Sequence, residues 1–359
     1  MQPKKSIPIY LDGNILELDV DPVVYSGGLL VPIYNLARSL GAKISWAPES
    51  QTAIVTYGKN FVLITVGKNT AYKNHKPIQL DIPPRIVDGR TLVPLNFLGE
   101  AMEVRAKWHD RHNTAVINSK MKIALYYPLV NDQDGYLIRE SHEVKYTRGT
   151  AKKSLNELID GQVTTPGACR ALPPDTSILD ISINNGLATV DFSQEVLKAG
   201  VGCRMEELGI KSIVNTLTEF PGIKEVSFMV EGKLDERAMD WWGHVGLYNQ
   251  PFSRDLSVVG QPRTWVISPS EGQVVKSPLK IRGLAGAGSG VNARLLDANG
   301  LVIATGFTST SPTDPAWAEY HLSLPFTRPD SANLWLEVFR YDELQGTIID
   351  KETISLLTF

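Results

Sequence analysis

A gapless duplication near the start of the chain constrains the fold more than any other feature. Leu30-Val31-Pro32-Ile33 returns as Leu92-Val93-Pro94-Leu95, a shift of 62 positions (30 to 92). The same shift carries Pro22 to Pro84, Gly27 to Gly89, Leu36 to Leu98, Trp46 to Trp108, Thr52 to Thr114 and Ala53 to Ala115. A fixed period without insertions marks one supersecondary unit used twice. Each copy reads as a glycine turn, a short strand ending at proline, a helix (32–40 and 94–102), a strand carrying tryptophan, and another with Ala-Ile-Val or Ala-Val-Ile. Proline suits the first helical position, because the amide it lacks would have no acceptor inside the helix. Each tryptophan is expected to be a core residue covering the helix against its sheet. His109 and His112 lie beside Trp108, but the aligned stretch 47–50 is Ala-Pro-Glu-Ser, a turn. A solvated loop is therefore expected there instead of a metal site.

From residue 121 the pattern changes. Strands are expected at 121–127 and within 136–146. Thr150 is a candidate N-cap for a helix with Ala151, Leu155, Leu158 and Ile159 on one face, ending at Gly161. Residues 179–183 and 188–192 alternate apolar with polar around Asn185-Gly186, a pair suited to the positive-φ positions of a type I′ turn. Closing that hairpin predicts Ile183 opposite Ala188, Ile181 opposite Val190 and Leu179 opposite Phe192, with every large apolar side chain on one face. Ile210, Ile213, Val214 and Leu217 follow at helical spacing, stopped by Pro221-Gly222, and Val226, Phe228 and Val230 mark a strand running to Gly232. The order β-β-α-β-β-α-β predicts two helices on one face of a small mixed sheet.

After residue 260 the chain turns uniformly β. Strands are expected at 264–267, 279–283, 291–297, 301–307, 318–324, 334–341 and 347–356, with Asn299-Gly300 a second hairpin turn. Seven short strands over about 100 residues predict an immunoglobulin-like sandwich, here without an internal cysteine pair. The run Gly283-Leu284-Ala285-Gly286-Ala287-Gly288-Ser289-Gly290 precedes a strand, not a helix, so it offers no phosphate a helix N-terminus and is expected to be a flexible loop.

Few residues carry chemistry. Asp180 and Asp191 face one another across the hairpin, the kind of carboxylate pair acid-base catalysis uses. The expected reading, however, is a solvent-screened pair or one compensated by a nearby lysine or arginine, with Asp191 in a turn or cap role and no catalytic residue. His142-Glu143 lacks the second histidine of a metalloprotease motif, and His244 stands alone. Adjacent Trp241 and Trp242, with Tyr248, form a candidate interaction surface, since neighbouring residues on a strand cannot both face one core. Packing against a neighbouring domain is the alternative. Cys169 and Cys203 flank the hairpin, so a disulfide is geometrically plausible beside the alternative of two free thiols. Thiol titration of the denatured, unreduced protein separates the two. No cofactor fingerprint occurs, and none is expected.

The 359 residues carry a formal net charge of −3 with lysine and arginine scattered, so nucleic acid is not an expected partner. No apolar run approaches the roughly 20 residues that span a bilayer. Met1-Gln2-Pro3-Lys4-Lys5-Ser6 lacks the apolar core of a secretion signal. Either the chain is cytoplasmic or a targeting segment precedes Met1, and the domain resemblances favour the second.

Those resemblances cover the whole chain. The phrases 187–193 and 216–226, with Gly243-His244-Val245 and Pro251-Phe252-Ser253-Arg254, resemble the GerMN domain of sporulation and spore germination proteins. Gly161-Gln162 departs from the Gly-Pro more usual there. The duplicated unit resembles the copper amine oxidase N-terminal-like domain, a stalk module of secreted Gram-positive proteins that implies neither copper nor oxidase activity. Ile267-Ser268-Pro269-Ser270-Glu271-Gly272, Ser277-Pro278 and Arg282-Gly283 are similar to the immunoglobulin-like domain that accompanies GerMN domains. The resulting expectation is a multidomain α+β and all-β chain: a duplicated stalk at 1–120, a GerMN-like domain at 121–260 and a sandwich at 261–359. The resemblances imply a non-catalytic extracytoplasmic protein that acts by binding envelope or sporulation proteins or the peptidoglycan of the cell wall. A cell-wall hydrolase or a carbohydrate-binding protein is the alternative.

Overall fold

The computed structural model describes residues 6–130, 134–198, 203–240, 246–312, 316–342 and 344–359. The chain forms two compact units, Met1–Met121 with Lys145–Arg148, and Lys122–Val144 with Gly149–Phe359.

In the first unit the duplication becomes a local two-fold axis. Strands Gly28–Pro32 and Arg90–Pro94 pair antiparallel with Val31 opposite Val93, which are equivalent residues of the two copies. Val23–Tyr25 and Arg85–Val87 flank them symmetrically in a four-stranded sheet. Helices Ile33–Ser39 and Leu95–Ala101 follow at the same spacing, each starting one residue later than expected, so that Pro32 and Pro94 are N-caps and not first helical residues. Both prolines keep extended ψ angles (117° and 134°) because each is still the last residue of its strand. Each copy then makes its tryptophan hairpin, with Trp46 opposite Ala53 and Trp108 opposite Ala115. Beyond it the symmetry ends. Thr52–Tyr57 pairs antiparallel with Asn60–Thr65, whereas Thr114–Asn118 pairs parallel with Ile9–Leu11. Both copies feed one core that includes Val31, Leu36, Val55, Ile64, Val93, Leu98 and Ile117.

The tryptophans depart from expectation. Trp108 is half-buried and packs against the core, but Trp46 is 42% exposed. Ile44, two residues earlier on the same face of its strand, makes the core contact in its place. His109 ends the strand Arg105–His109 and His112 ends the 3-10 turn Asp110–His112 that follows.

In the second unit, Lys120–Val130, Gly135–Lys145 and Val259–Gln261 form a three-stranded sheet. Helix Thr150–Asp160 buries Ala151, Leu155, Leu158 and Ile159, and its N-cap is Gly149 instead of Thr150. A separate four-stranded sheet runs in the order Ile178–Asn184, Leu187–Phe192, Glu225–Val230, Phe252–Ser253. The expected element order holds, but its strands divide between two sheets. Helix Cys203–Leu217 makes the crossover between the parallel strands Leu187–Phe192 and Glu225–Val230. Asn185 and Gly186 have φ of 51° and 89°, as a type I′ turn requires.

The hairpin register is as predicted at Ile183–Ala188 and Ile181–Val190, but Ile178, not Leu179, lies opposite Phe192. An irregularity between Ile178 and Asp180 turns Leu179 outward, 46% exposed, and buries the β-branched Ile178. Ala188, Val190 and Phe192 are buried, whereas Ile183 is 49% exposed because its strand is the sheet edge.

Among the described residues of the C-terminal part, eight strands make two facing sheets. Thr264–Ser268, Leu279–Gly286 and Trp317–Leu324 form one, and Gln273–Val275, Ile348–Thr358, Asn333–Tyr341, Gly290–Asp297 and Val302–Ser309 the other. Gln273–Val275 went unread in sequence because three residues show no periodicity. The first half of the glycine-rich run is strand, not flexible loop. A Cβ at Gly283 would fall 2.2 Å from both Trp265 O and Tyr320 Oη, so glycine there admits the Tyr320 hydroxyl, which donates to Trp265 O at 3.1 Å.

Candidate functional site

The acidic pair comes first. Asp180 and Asp191 are direct cross-strand partners, as the spacing predicts. Asp191 Oδ1 accepts the amide of Gly232 at 2.8 Å, where φ is +70°. Asp191 therefore holds the turn that ends the neighbouring parallel strand, and the amide dipole offsets part of the repulsion from the exposed Asp180.

A second cluster surrounds His142. Glu140 and His142 share the inner face of their strand by period-two alternation. His142 Nε2 lies 2.9 Å from Glu140 Oε2 and its Nδ1 3.5 Å from Glu157 Oε1 on helix Thr150–Asp160. Glu140 also accepts the amides of Thr164 and Thr165 at 3.0 and 2.7 Å and the Thr164 hydroxyl at 2.7 Å. Burial alone would raise the Glu140 pKa, but the bonds from His142, Thr164 and Thr165 outweigh it and bring it down to about 2. The cluster ties the segment after the helix to the sheet.

The third cluster has the most charge buried together. Glu219 accepts the Tyr126 hydroxyl at 2.6 Å, pairs with Arg254, and lies 3.4 Å from Arg139 Nη2. Arg254 Nη2 donates to the Tyr126 hydroxyl at 2.9 Å. The Arg139 guanidinium lies 4.9 Å from the centre of the Trp265 ring, and Trp265 packs with Trp317, Tyr126, Leu137, Leu208 and Val259. Burial pushes the Glu219 carboxyl pKa up, but the two arginines and the Tyr126 hydroxyl outweigh it and hold the group ionised. Glu352, from the last strand, accepts the Val266 amide at 2.6 Å, and burial raises its pKa. Lys122 reaches Glu271 and Thr353 O, both at 2.8 Å. These contacts fasten the sandwich to the α/β part of the same compact unit. Sequence reading singled out the phrases holding Glu219 and Arg254 but not their pairing, since 35 residues separate them.

Trp241, Trp242 and His244 lie outside the described residues. Tyr248 is 58% exposed and lines an open cavity of about 740 Å³ with Leu197, Glu236, Arg237, Met239 and Asp240. The short helix Glu236–Met239, capped by Asp235, was not anticipated. Cys169 is an exposed free thiol donating to Pro128 O at 3.6 Å, which favours the free-thiol alternative over a bridge; the Cys203 side chain lies outside the described residues.

Comparison with known proteins follows this architecture. Family profiles match as "Copper amine oxidase N-terminal domain" over residues 10–117, "Sporulation and spore germination" over 124–236, and "Immunoglobulin-like domain of bacterial spore germination" over 263–347. The spore germination protein GerM of Bacillus subtilis (strain 168) is 26% identical over 128 residues, 34% of this chain and 34% of its own length. A Brevibacillus choshinensis protein named "Protease inhibitor" is 22% identical over 211 residues, 52% of this chain and 64% of its own. The chain thus spans less than two thirds of either relative. Among solved structures, the tandem GerMN domains of Bacillus subtilis GerM are similar at 23% identity and a TM-score of 0.32, covering 44% of this chain and 51% of that one. The first GerMN domain of the same protein gives 28% and 0.29, covering 37% and 95%. The chain therefore carries, in order, a copper amine oxidase N-terminal-like domain, a GerMN domain of the sporulation and spore germination type, and the immunoglobulin-like domain of bacterial spore germination.

Proposed function

We propose that this protein is a non-catalytic, extracytoplasmic component of the cell envelope that works in sporulation or spore germination by binding envelope proteins or peptidoglycan. The observation that carries the reading is how the acidic and imidazole groups are used. Asp191 holds a turn, Glu140 and His142 hold a loop, and Glu219 holds two arginines and a tyrosine. Groups bound this way stiffen a surface and are poorly placed to exchange protons with a substrate. No helix among the described residues is long and apolar enough to cross a membrane. Sedimentation with purified peptidoglycan sacculi, alongside crosslinking pull-down from sporulating cells, tests the reading. Enrichment in either is the expected result, and binding to neither overturns it.

The relative named as a protease inhibitor favours a second reading, in which the bound partner is a protease. Residual proteolysis in culture supernatant titrated with the protein tests it, and undiminished activity at molar excess rules it out.

A further inference from the structure

The two-fold axis of the first unit makes one groove occur twice. In each, the helix and tryptophan strand of one copy meet the glycine hairpin of the other. Tyr34, Ile44, Trp46, Ile86 and Arg90 line the first groove, and Gly28, Ile82, Asn96, Ala106 and Trp108 line the second. At the 62-residue shift Trp46 matches Trp108, Tyr34 matches Asn96, Ile44 matches Ala106 and Arg90 matches Gly28. Because both copies build the same frame, the differences between them mark residues that the frame does not require.

The second groove is filled from inside. Ile82 is 6% exposed, and Gly28 makes room for it, since a Cβ there would lie 2.6 Å from Ile82 Cδ1. Asn96 Nδ2 donates to Asp81 Oδ2 at 2.9 Å across the rim. In the first groove Arg90 stands at the Gly28 position, and Val20, the counterpart of Ile82, is smaller and only half-buried. That cavity is about 660 Å³ against about 380 Å³ for the second. Its walls stay open, with Tyr34 and Trp46 each 42% exposed and Ile86 49%. The Arg38 and Arg90 guanidinium carbons lie 5.6 and 5.9 Å from the Tyr34 ring centre, Arg38 Nη1 donates to the Tyr34 hydroxyl at 3.3 Å, and Arg90 pairs with Asp19.

We propose that the first groove binds a glycan bearing carboxylate groups, resting on the envelope-binding role proposed above and assigning it a site. A pyranose presents a face of C–H groups that suits the electron-rich face of Trp46. The paired arginines beside Tyr34 supply planar donors for a carboxylate. The volume falls within the roughly 300–1,000 Å³ of small-ligand sites. The second groove, about 380 Å³, keeps the frame and its tryptophan but lacks the tyrosine and both arginines, since Asn96, Glu100 and Gly28 stand at those positions.

Titration of the full chain with soluble muropeptides, neutral chito-oligosaccharides and the free stem peptide, followed by tryptophan fluorescence and calorimetry, tests the assignment. Muropeptides are expected to bind more tightly than the neutral sugars, and Trp46→Ala and Tyr34→Asn to weaken them by about tenfold or more. Tyr34→Asn installs the side chain that the other copy carries, so its melting temperature is expected to hold. No muropeptide binding by the wild type, equal binding by both variants, or stem peptide binding as tightly as muropeptide would overturn the assignment. If the variants still sediment with sacculi as the wild type does, the groove is wrong and the envelope role stands. If the wild type neither sediments nor captures a partner, both fall.

Discussion

Glu219 shows how much one side chain can organise. It faces Arg139, Arg254 and Tyr126, all in or near the buried layer between the GerMN domain and the sandwich. Removing one partner of such a set leaves the others desolvated without compensation, so Glu219→Ala is expected to cost about 3–5 kcal/mol in denaturant unfolding. An unchanged midpoint would show the cluster to be solvated. Glu140 carries a pH dependence of definite sign. Its folded pKa of about 2 lies below its ordinary 4.5, so the stability it adds is present above pH 4.5 and is lost as pH falls toward 2. Glu140→Gln is expected to flatten the melting-temperature profile across that window, and a profile parallel to wild type would contradict the assignment.

Turns and repeats were legible at the level of elements, because their causes are local. Asn185-Gly186 names its own turn type, and Gly186→Ala, at a φ of 89°, is expected to cost about 1–2 kcal/mol in the unfolding midpoint. The 62-residue period announced two matching helices and hairpins, and the structure places them about a two-fold axis. Tertiary choices were not legible. Ile178 and Leu179 are both apolar, and only packing against Phe192 decides which is buried and where the bulge falls. Trp46 and Trp108 occupy matching positions of the repeat, yet Trp108 packs against the core and Trp46 is 42% exposed, a difference that the shared period does not signal. Glu219 and Arg254 both lie in stretches that resemble the GerMN domain, but pairing across a fold leaves no local signal.

At the scale of the molecule, the GerMN domain and the sandwich share one compact unit, bound through Trp265, Trp317, Arg139 and Glu352. Calorimetry of the full chain is expected to show them unfolding in one transition, with Trp265→Ala lowering or splitting it; separate transitions in the wild type would contradict that coupling. A rigid block of this kind suits the binding role proposed above, with Asp191, Glu140 and Glu219 engaged in holding the scaffold. The most direct measurement is the turbidity of purified cell walls incubated with the protein. Turbidity is expected to hold steady with the wild type, and a fall that Asp191→Asn abolishes would show that the acidic pair performs catalysis after all.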